Sequence, residues 1–448
     1  MKVALFAVLY PIRSGLANYC HNLLPKLKEL AEIDIFIDDY DPDDEAITSQ
    51  FEVMNYLRFE ERLASEKYDA IIYELGNDLH YKFMYHYIFN FPGIVVLHDF
   101  NLHPSRASML RASADEETYR RELEDCVGPR GSEIARLVCA GEQFNPLLNV
   151  FPMNEKVLRS SRAAIVHNPY VKRLVQEVAP RTPAYLVNMG LPEPGRTLKR
   201  AESRRRLNLP ASKFIVLNQG FVGPHRKPEV VLDGFARFVK KHPKSMLVFT
   251  GDPDPRVDLA CMIRTRALTE AVRLENYVQD DVFHTYIAAA DVVLNLRTNA
   301  IRETSATMLT AMLLGRPVIA TRLAHNCYLP PSVCLFVEHS PAEANDLAAR
   351  LESLWSNPKQ GEAIGKAARA YVRSNHSLAQ SARGYKAAID AVVAQPEERT
   401  REPRTLRERL PWLAEEKASV LDEICAPEHH KQVGEVLREA MSDLGLIE

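Results

Sequence analysis

Short apolar runs of strand length, each followed by a stretch of helical pattern, constrain this chain more than any other feature. In the first half they are VALFAVLY (3–10), IDIFI (33–37), DAIIYE (69–74), GIVVLH (93–98), AAIVH (163–167) and AYLVN (184–188). In the second half they are FIVLNQ (214–219), MLVFT (246–250), AVRLEN (271–276), DVVLNL (291–296), PVIAT (317–321) and VCLFV (333–337). A strand that is apolar throughout has both faces covered, and alternation with helices indicates parallel sheets packed between helical layers. Between the first two runs, Leu16, Cys20, Leu23, Leu24, Leu27 and Leu30 fall at helical spacing, with Pro25 inside the predicted helix as a candidate kink. The reading is α/β: two tandem Rossmann-like domains, 1–190 and 191–376, joined where glycine and proline interrupt the pattern at MGLPEPGRT (189–197). Residues 101–152 lack strand signals and read as a helical insertion in the first domain.

The remaining pattern is helical. A helix is predicted over 377–394, and QPEERTREPR (395–404) is a charged linker opening the segment 395–448. Trp412, Leu413, Val420, Leu421, Ile424, Val433, Val436 and Leu437 give that segment the pattern of a docked helical appendage. It is predicted to pack on the body or to mediate self-association into a homo-oligomer.

Composition excludes several functions. With 448 residues, 46% hydrophobic and 26% charged, the chain is long enough for two or more cores and too apolar for extensive disorder. Lys plus Arg (56) nearly balance Asp plus Glu (59), so no overall basic field would hold a nucleic acid. Seven cysteines (Cys20, Cys126, Cys139, Cys261, Cys327, Cys334 and Cys425) include no C-x-x-C pair, which indicates a reduced, cytoplasmic chain without a disulfide framework or zinc knuckle. No run approaches the roughly 20 apolar residues of a membrane-spanning helix, so contact with a membrane would be peripheral.

Ligands of open parallel sheets bind beyond the carboxyl ends of the strands, so the residues following each run carry the information. After the first run, Ser14 can cap a helix and Gly15 can admit an anion to its N-terminus, although the pattern is not G-x-G-x-x-G. His98 follows the fourth run, and a histidine there can move a proton or orient a sugar hydroxyl; His80 and His103 lie nearby in sequence. In the second half, GFVGPHRKP (220–228) places two glycines before Arg226 and Lys227 at a helix start, which suits a diphosphate. Arg297, Arg302 and Glu303 share one loop, and Thr304 and Ser305 open the next helix. The aspartates of DDYDPDD (38–44) and GDPDP (251–255) read as solvated loop carboxylates, and no metal site is expected.

Over roughly residues 1–390 the chain resembles glycosyltransferase family 4 of the GT-B architecture, of the type that builds bacterial polysaccharides. RETSATMLTAMLLGRPVIAT resembles the family's glutamate motif with the helix and strand after it. GFVGPHRKPEVVLDGFARF resembles its phosphate-binding turn, and YIAAADVVLNLR its aspartate at a strand start. PIRSGLANYCHNLLPKL, ELGNDLHYKFMY, GIVVLHD and RSSRAAIVHNPYVKRLV resemble first-domain features.

The resemblance implies two domains facing across a cleft and a retaining, metal-independent hexosyl-type transferase at the cytoplasmic membrane face. The helix within 377–394 would cross back to the first domain. A nucleotide-diphosphate sugar would be the co-substrate, no cofactor would be needed, and the acceptor would be a glycan or a lipid-linked molecule. Gly15 would lie near the donor phosphates, His98 near the reacting sugar, and Glu303 on the transferred sugar. Arg226 or its neighbour Lys227 would hold the diphosphate, with Arg302, Thr304, Ser305 and Thr310 completing the donor site. Phe221 stands where the family often has arginine, and Thr310 where a second glutamate is usual. Those departures leave an alternative, a non-catalytic relative that binds nucleotide sugar or a partner enzyme; an epimerase or phosphorylase of the same architecture is a third reading.

Overall fold

A computed structural model describes residues 1–112, 115–139, 147–195, 199–298 and 302–395, and the chain divides into two compact units. The first comprises the described residues of Met1–Gly190, Ala300–Thr304 and Leu378–Glu448; the second comprises those of Leu191–Asn299 and Ser305–Ser377. The predicted appendage within 395–448 lies outside the described residues from 396 onward.

The first unit is built on a parallel sheet of β1 (Lys2–Phe6), β2 (Glu32–Ile37), β3 (Glu52–Asn55), β4 (Ala70–Leu75), β5 (Ile94–Leu97), β6 (Ala163–Val166) and β7 (Ala184–Leu186). Its order is β3-β2-β1-β4-β5-β6-β7, with Leu5 paired to Ile35 on one side and Ile72 on the other. The strand β3 has no counterpart among the predicted runs. Its sequence is EVMN and only Met54 is buried, because an edge strand has one neighbour and needs no continuous apolar run.

Phe6 lies at the centre of the core, its ring 5.2 Å from Phe36, 5.0 Å from Phe59, 4.9 Å from Tyr73 and 5.1 Å from Tyr87. The buried Tyr73 hydroxyl donates to the Phe91 carbonyl at 2.8 Å, which satisfies the one polar atom that ring brings inside. The first helix, Gly15–Lys28, continues through Pro25 and buries Ala17, Tyr19, Cys20, Leu23, Leu24 and Leu27. The insertion is helical where described, with helices His103–Ala112, Glu116–Val127, Gly131–Cys139 and Leu147–Val150. The helix Leu378–Val393 belongs to this unit: Tyr385 and Ile389 are buried, Ser381 Oγ lies 3.0 Å from Tyr19 Oη, and Arg162 donates to the Val392 carbonyl at 2.7 Å.

The second unit has a parallel sheet of β8 (Phe214–Gln219), β9 (Ser245–Thr250), β10 (Val272–Glu275), β11 (Val292–Asn295), β12 (Val318–Arg322) and β13 (Leu335–Glu338), in the order β10-β9-β8-β11-β12-β13. Against it pack the helix Pro228–Lys241, through Val231, Leu232, Phe235 and Phe238, and the helix Glu343–Ser356, through Leu347, Leu351 and Leu354. Its two ends are fastened together, since Leu191 bridges Ser377 and its N–H donates to the His376 carbonyl at 2.8 Å. Among the described residues, no helix is long and apolar enough to cross a membrane.

The centrality of Phe6 is testable by thermal unfolding. Phe6→Ala should cost about 3–5 kcal/mol, the cost of a large-to-small change in a packed core. Leu57→Ala, at a side chain 66% exposed, should stay within about 0.5 kcal/mol of the parent.

Candidate functional site

In the second unit the carboxyl ends of β8 and β9 meet at two glycines in left-handed backbone, Gly220 at φ 95° and Gly251 at φ 118°. A Cβ on Gly251 would stand 2.6 Å from the backbone of Gly220, so only glycine lets the two strand ends approach this closely. A Cβ on Gly220 would stand 2.9 Å from a terminal nitrogen of Arg226. The chain leaves Gly220, makes a 3-10 turn at Pro224–Arg226, and enters the helix Pro228–Lys241 through Lys227, itself left-handed at φ 51°.

Arg226 and Lys227, adjacent in sequence, end in different electrostatic states. Lys227 Nζ donates to Glu343 Oε2 at 2.5 Å and lies 2.6 Å from His339 Nδ1, while Glu343 Oε1 accepts from Thr321 Oγ1 at 2.7 Å. Burial opposes the Glu343 charge, but the hydrogen bond from His339, Lys227 and Thr321 outweigh it and hold the carboxyl below its ordinary range. Arg226 is buried as deeply. One terminal nitrogen donates to the Gln219 carbonyl at 2.9 Å, and it forms no ion pair among the described residues. Burial alone pushes this guanidinium down to about 10. Around it, Arg226 Nε, both side-chain polar atoms of Gln219, and Thr250 Oγ1 are buried without a hydrogen-bond partner among the described residues. Buried polar atoms are ordinarily paired, so such a group at strand ends marks a place that receives a ligand.

Arg297 extends this cationic region. Its side chain is held by Asn295 Oδ1 at 3.1 Å and Ser305 Oγ at 3.0 Å. Ser305 Oγ also accepts from Asn295 Nδ2 at 2.9 Å and caps the helix Ala306–Leu313 through Met308 N–H at 3.2 Å. Its acceptor capacity is used inside the protein, so it positions Arg297. Thr310 Oγ1 donates to the Ala306 carbonyl one turn back, at 2.9 Å. Phe221 is 48% exposed beside the turn. Of the two aspartate-rich loops, Asp254 is held by Arg256 at 2.6 Å and Asp44 by His21 at 2.8 Å.

In the first unit, Ser14 caps the helix Gly15–Lys28 by accepting from Ala17 N–H at 3.0 Å. A Cβ on Gly15 would touch nothing within 4 Å, so packing does not demand glycine there. His98, one residue beyond β5, is buried, and its Nε2 lies 2.7 Å from Glu74 Oε2. A carboxylate accepts only, so that nitrogen donates the hydrogen bond; Nδ1 is buried with no hydrogen-bond partner among the described residues. The His167 ring lies 4.7 Å away and the Tyr19 ring 5.3 Å. The segment 302–304 also belongs to this unit. Arg302, left-handed at φ 59°, is buried with its guanidinium over the Phe100 ring at 5.8 Å. Thr304 Oγ1 accepts from Asn168 Nδ2 at 3.2 Å, and Glu303 is half-buried. Phe100 and Asn168 follow β5 and β6, so Arg302 and Thr304 dock at the same edge of the sheet that carries His98. His103 instead meets Tyr119 at 2.6 Å in the core of the insertion, and His80 is exposed beside Asp78 at 2.9 Å.

Sequence reasoning missed Glu74, Asn168, His339 and Glu343. Asn168 alone carried a local signal, an Asn-Pro pair at a helix start. Glu74 meets His98, and His339 and Glu343 meet Lys227, across long stretches of chain that no motif spans.

His225 supplies a pH test of this region. Burial first, then the charges of Arg226 and Arg297, bring its imidazole down to about 3. Above the unfolded value of about 6.5 neither state is protonated. Below it the unfolded chain takes up a proton that the folded chain refuses, so stability falls as pH drops from about 6.5 towards 3. The expected slope from this residue is about 1.4 kcal/mol per pH unit, and His225→Gln should flatten the acid limb of a urea-unfolding series run between pH 6.5 and 4.

The comparisons with known proteins bear on this geometry. Residues 199–371 match the family model described as glycosyl transferases group 1. No curated protein matches the chain in sequence. Among solved structures, sucrose-phosphate synthase from Thermosynechococcus elongatus is similar at 17% identity and TM-score 0.60, over 88% of this chain and 99% of that one. The Anabaena protein HepE, solved with UDP-glucose, is similar at 15% identity and TM-score 0.60, over 87% and 100%. WaaG, a glycosyltransferase involved in lipopolysaccharide biosynthesis, is similar at 14% identity and TM-score 0.57, over 88% and 100%. At such identities these likenesses establish the fold. Residues 199–371 match the model of glycosyl transferases group 1, and the chain has the GT-B fold of these solved structures.

Proposed function

We propose that this chain transfers a sugar from a nucleotide-diphosphate donor to a glycan or lipid-linked acceptor, with retention at the anomeric carbon and with no metal ion or other cofactor. The single observation that carries the reading is Arg226: a buried guanidinium without an ion-pair partner among the described residues, beneath the Gly220–Gly251 turn and among partnerless polar atoms. Such a group is poised for a doubly charged diphosphate. The UDP-glucose held by HepE supports a donor of this kind.

The chemistry asks for little. The departing nucleoside diphosphate gains negative charge, which Arg226, Arg297 and the N-terminus of the helix Pro228–Lys241 stabilise from fixed positions. The anomeric carbon gains positive character, as in glycoside hydrolysis. Lys227 supports the turn through Glu343, and Ser305 supports Arg297. Thr310 offers a hydroxyl to the donor. Gly15, Arg302 and Thr304 complete the donor contacts, Glu303 binds the transferred sugar, and His98, its ring held by Glu74, takes part at the reacting sugar. The protein works on the cytoplasmic side of the plasma membrane and touches that membrane peripherally.

The two cations separate in experiment. Arg226→Ala should lower donor turnover by about 10²–10³-fold, the cost of losing one fixed donor to developing charge. Its melting temperature should hold or rise, because an uncompensated buried charge is removed. Lys227→Ala removes the ammonium that pairs with the buried Glu343 carboxylate and should destabilise the protein by about 3–5 kcal/mol. The measurements are turnover of uridine-, guanosine- and thymidine-diphosphate sugars and thermal melts of both variants. Parent-like turnover in Arg226→Ala would sink the assignment, and tight binding without turnover in the parent would favour the non-catalytic alternative.

A further inference from the structure

The second unit has a cleft at the opposite end of its sheet. Phe214 opens β8, Asp291 immediately precedes β11, and Gly315, Arg316 and Pro317 precede β12, so the cleft they line lies at the amino ends of three adjacent strands. A six-residue strand spans roughly 20 Å, which separates this place from the glycine turn at the carboxyl ends. Leu354, Trp355 and Pro358 form the remaining apolar wall, and the cavity measures about 170 Å³. That is room for about one six-membered ring with a substituent, given that a cavity of roughly 150 Å³ admits benzene.

The cleft is lined by two cations, Arg200 and Arg316, and two carboxylates, Asp291 and Glu362, which balance in number but not in local pairing. Asp291 is fully engaged: Oδ2 accepts from Arg204 at 2.6 Å and from Ile215 N–H at 2.7 Å, and Oδ1 accepts from Arg200. Arg204 is satisfied further by the carbonyls of Ala289, Ala211 and Lys213. Arg316 has no such support. It reaches only the Ala290 carbonyl, at 3.3 Å, its Nε is buried without a partner, and it forms no ion pair among the described residues. Burial, and next the charge of Arg200, press its guanidinium below the ordinary arginine value. Glu362 contributes one carboxylate at the exposed rim. Beside these charges the Trp355 indole is 44% exposed, with the His242 ring 3.9 Å away. A guanidinium fork wanting an anion next to an available aromatic wall describes a ligand with two parts.

We propose that this amino-end cleft binds a small organic anion, a phosphate or carboxylate carried on a flat ring, with the anion on Arg316 and the ring against Trp355. The site is independent of the donor site and does not rest on the reading of Arg226.

The chain has two tryptophans, so a Trp412→Phe background leaves Trp355 as the only indole reporter. In that full-length protein, phenyl phosphate and benzoate should each be titrated against indole fluorescence. At least one should give a saturable change, and which of them binds more tightly identifies the anionic group. Inorganic phosphate should bind at least tenfold more weakly than phenyl phosphate. Arg316→Met should weaken binding at least tenfold, Arg316→Lys should retain much of it, and both should keep the parent melting temperature. Excess uridine diphosphate should not displace the probe. No saturable change with either ring-bearing anion, an unaltered response in Arg316→Met, equal binding of inorganic phosphate, or displacement by uridine diphosphate would each overturn the proposal. Should Arg316→Met melt early, the Lys variant decides: loss of the response with an intact fold and charge also counts against it.

Discussion

The second unit depends on keeping a positive charge inside the protein without a negative one to match it. Removing a guanidinium from water costs several kcal/mol, and one carbonyl from Gln219 returns only part of that. The rest of the unit bears the difference through its two-sided apolar sheet. The contrast with Lys227 makes the arrangement informative. One residue further on, the backbone turns left-handed, the side chain reaches Glu343, and the charge is cancelled locally. Folding stability alone would favour the second solution at both positions. The neighbouring pair therefore holds one cation neutralised and one without an ion pair among the described residues.

The first unit solves a different problem. His98, just beyond β5, is inside the protein, so its orientation comes from a partner and not from water. Glu74, the fifth residue of β4, accepts from His98, and the Tyr19 and His167 rings lie close to the imidazole. The ring is therefore held in one orientation. Because Tyr19 also meets Ser381, the last described helix reaches the same neighbourhood as the histidine.

How much of this was legible in the sequence follows from where each partner lies. Continuous apolar runs such as FIVLNQ and AAIVH became strands because a central parallel strand must be apolar on both faces, and that requirement is written locally. The edge strand β3 escaped because solvent on one side relaxes it. Gly220 was legible as a turn residue, but its closeness to Gly251 is set by the pairing of β8 with β9, thirty-odd residues apart in the chain. The open state of Arg226 and the closed state of Lys227 were not legible at all. That distinction depends on Glu343, more than a hundred residues later, which has no motif around it. Ser305 was read as a ligand-binding hydroxyl and is seen capping a helix while gripping Arg297, two uses of one oxygen that share the same sequence signature.

The helix Leu378–Val393 completes the first unit although the second unit's residues precede it in the chain. Tyr385 and Ile389 therefore reach their places only after everything between Leu191 and Ser377 has been made. At ribosomal speeds of about 5–20 residues per second, the earlier-made unit waits on the order of 10–40 seconds with the flank around Tyr19 uncovered. The later-made unit meets its own far end at Ser377 first. Synthesis order and completion order are thus reversed, and the half of the molecule that emerges first is the last to be sealed.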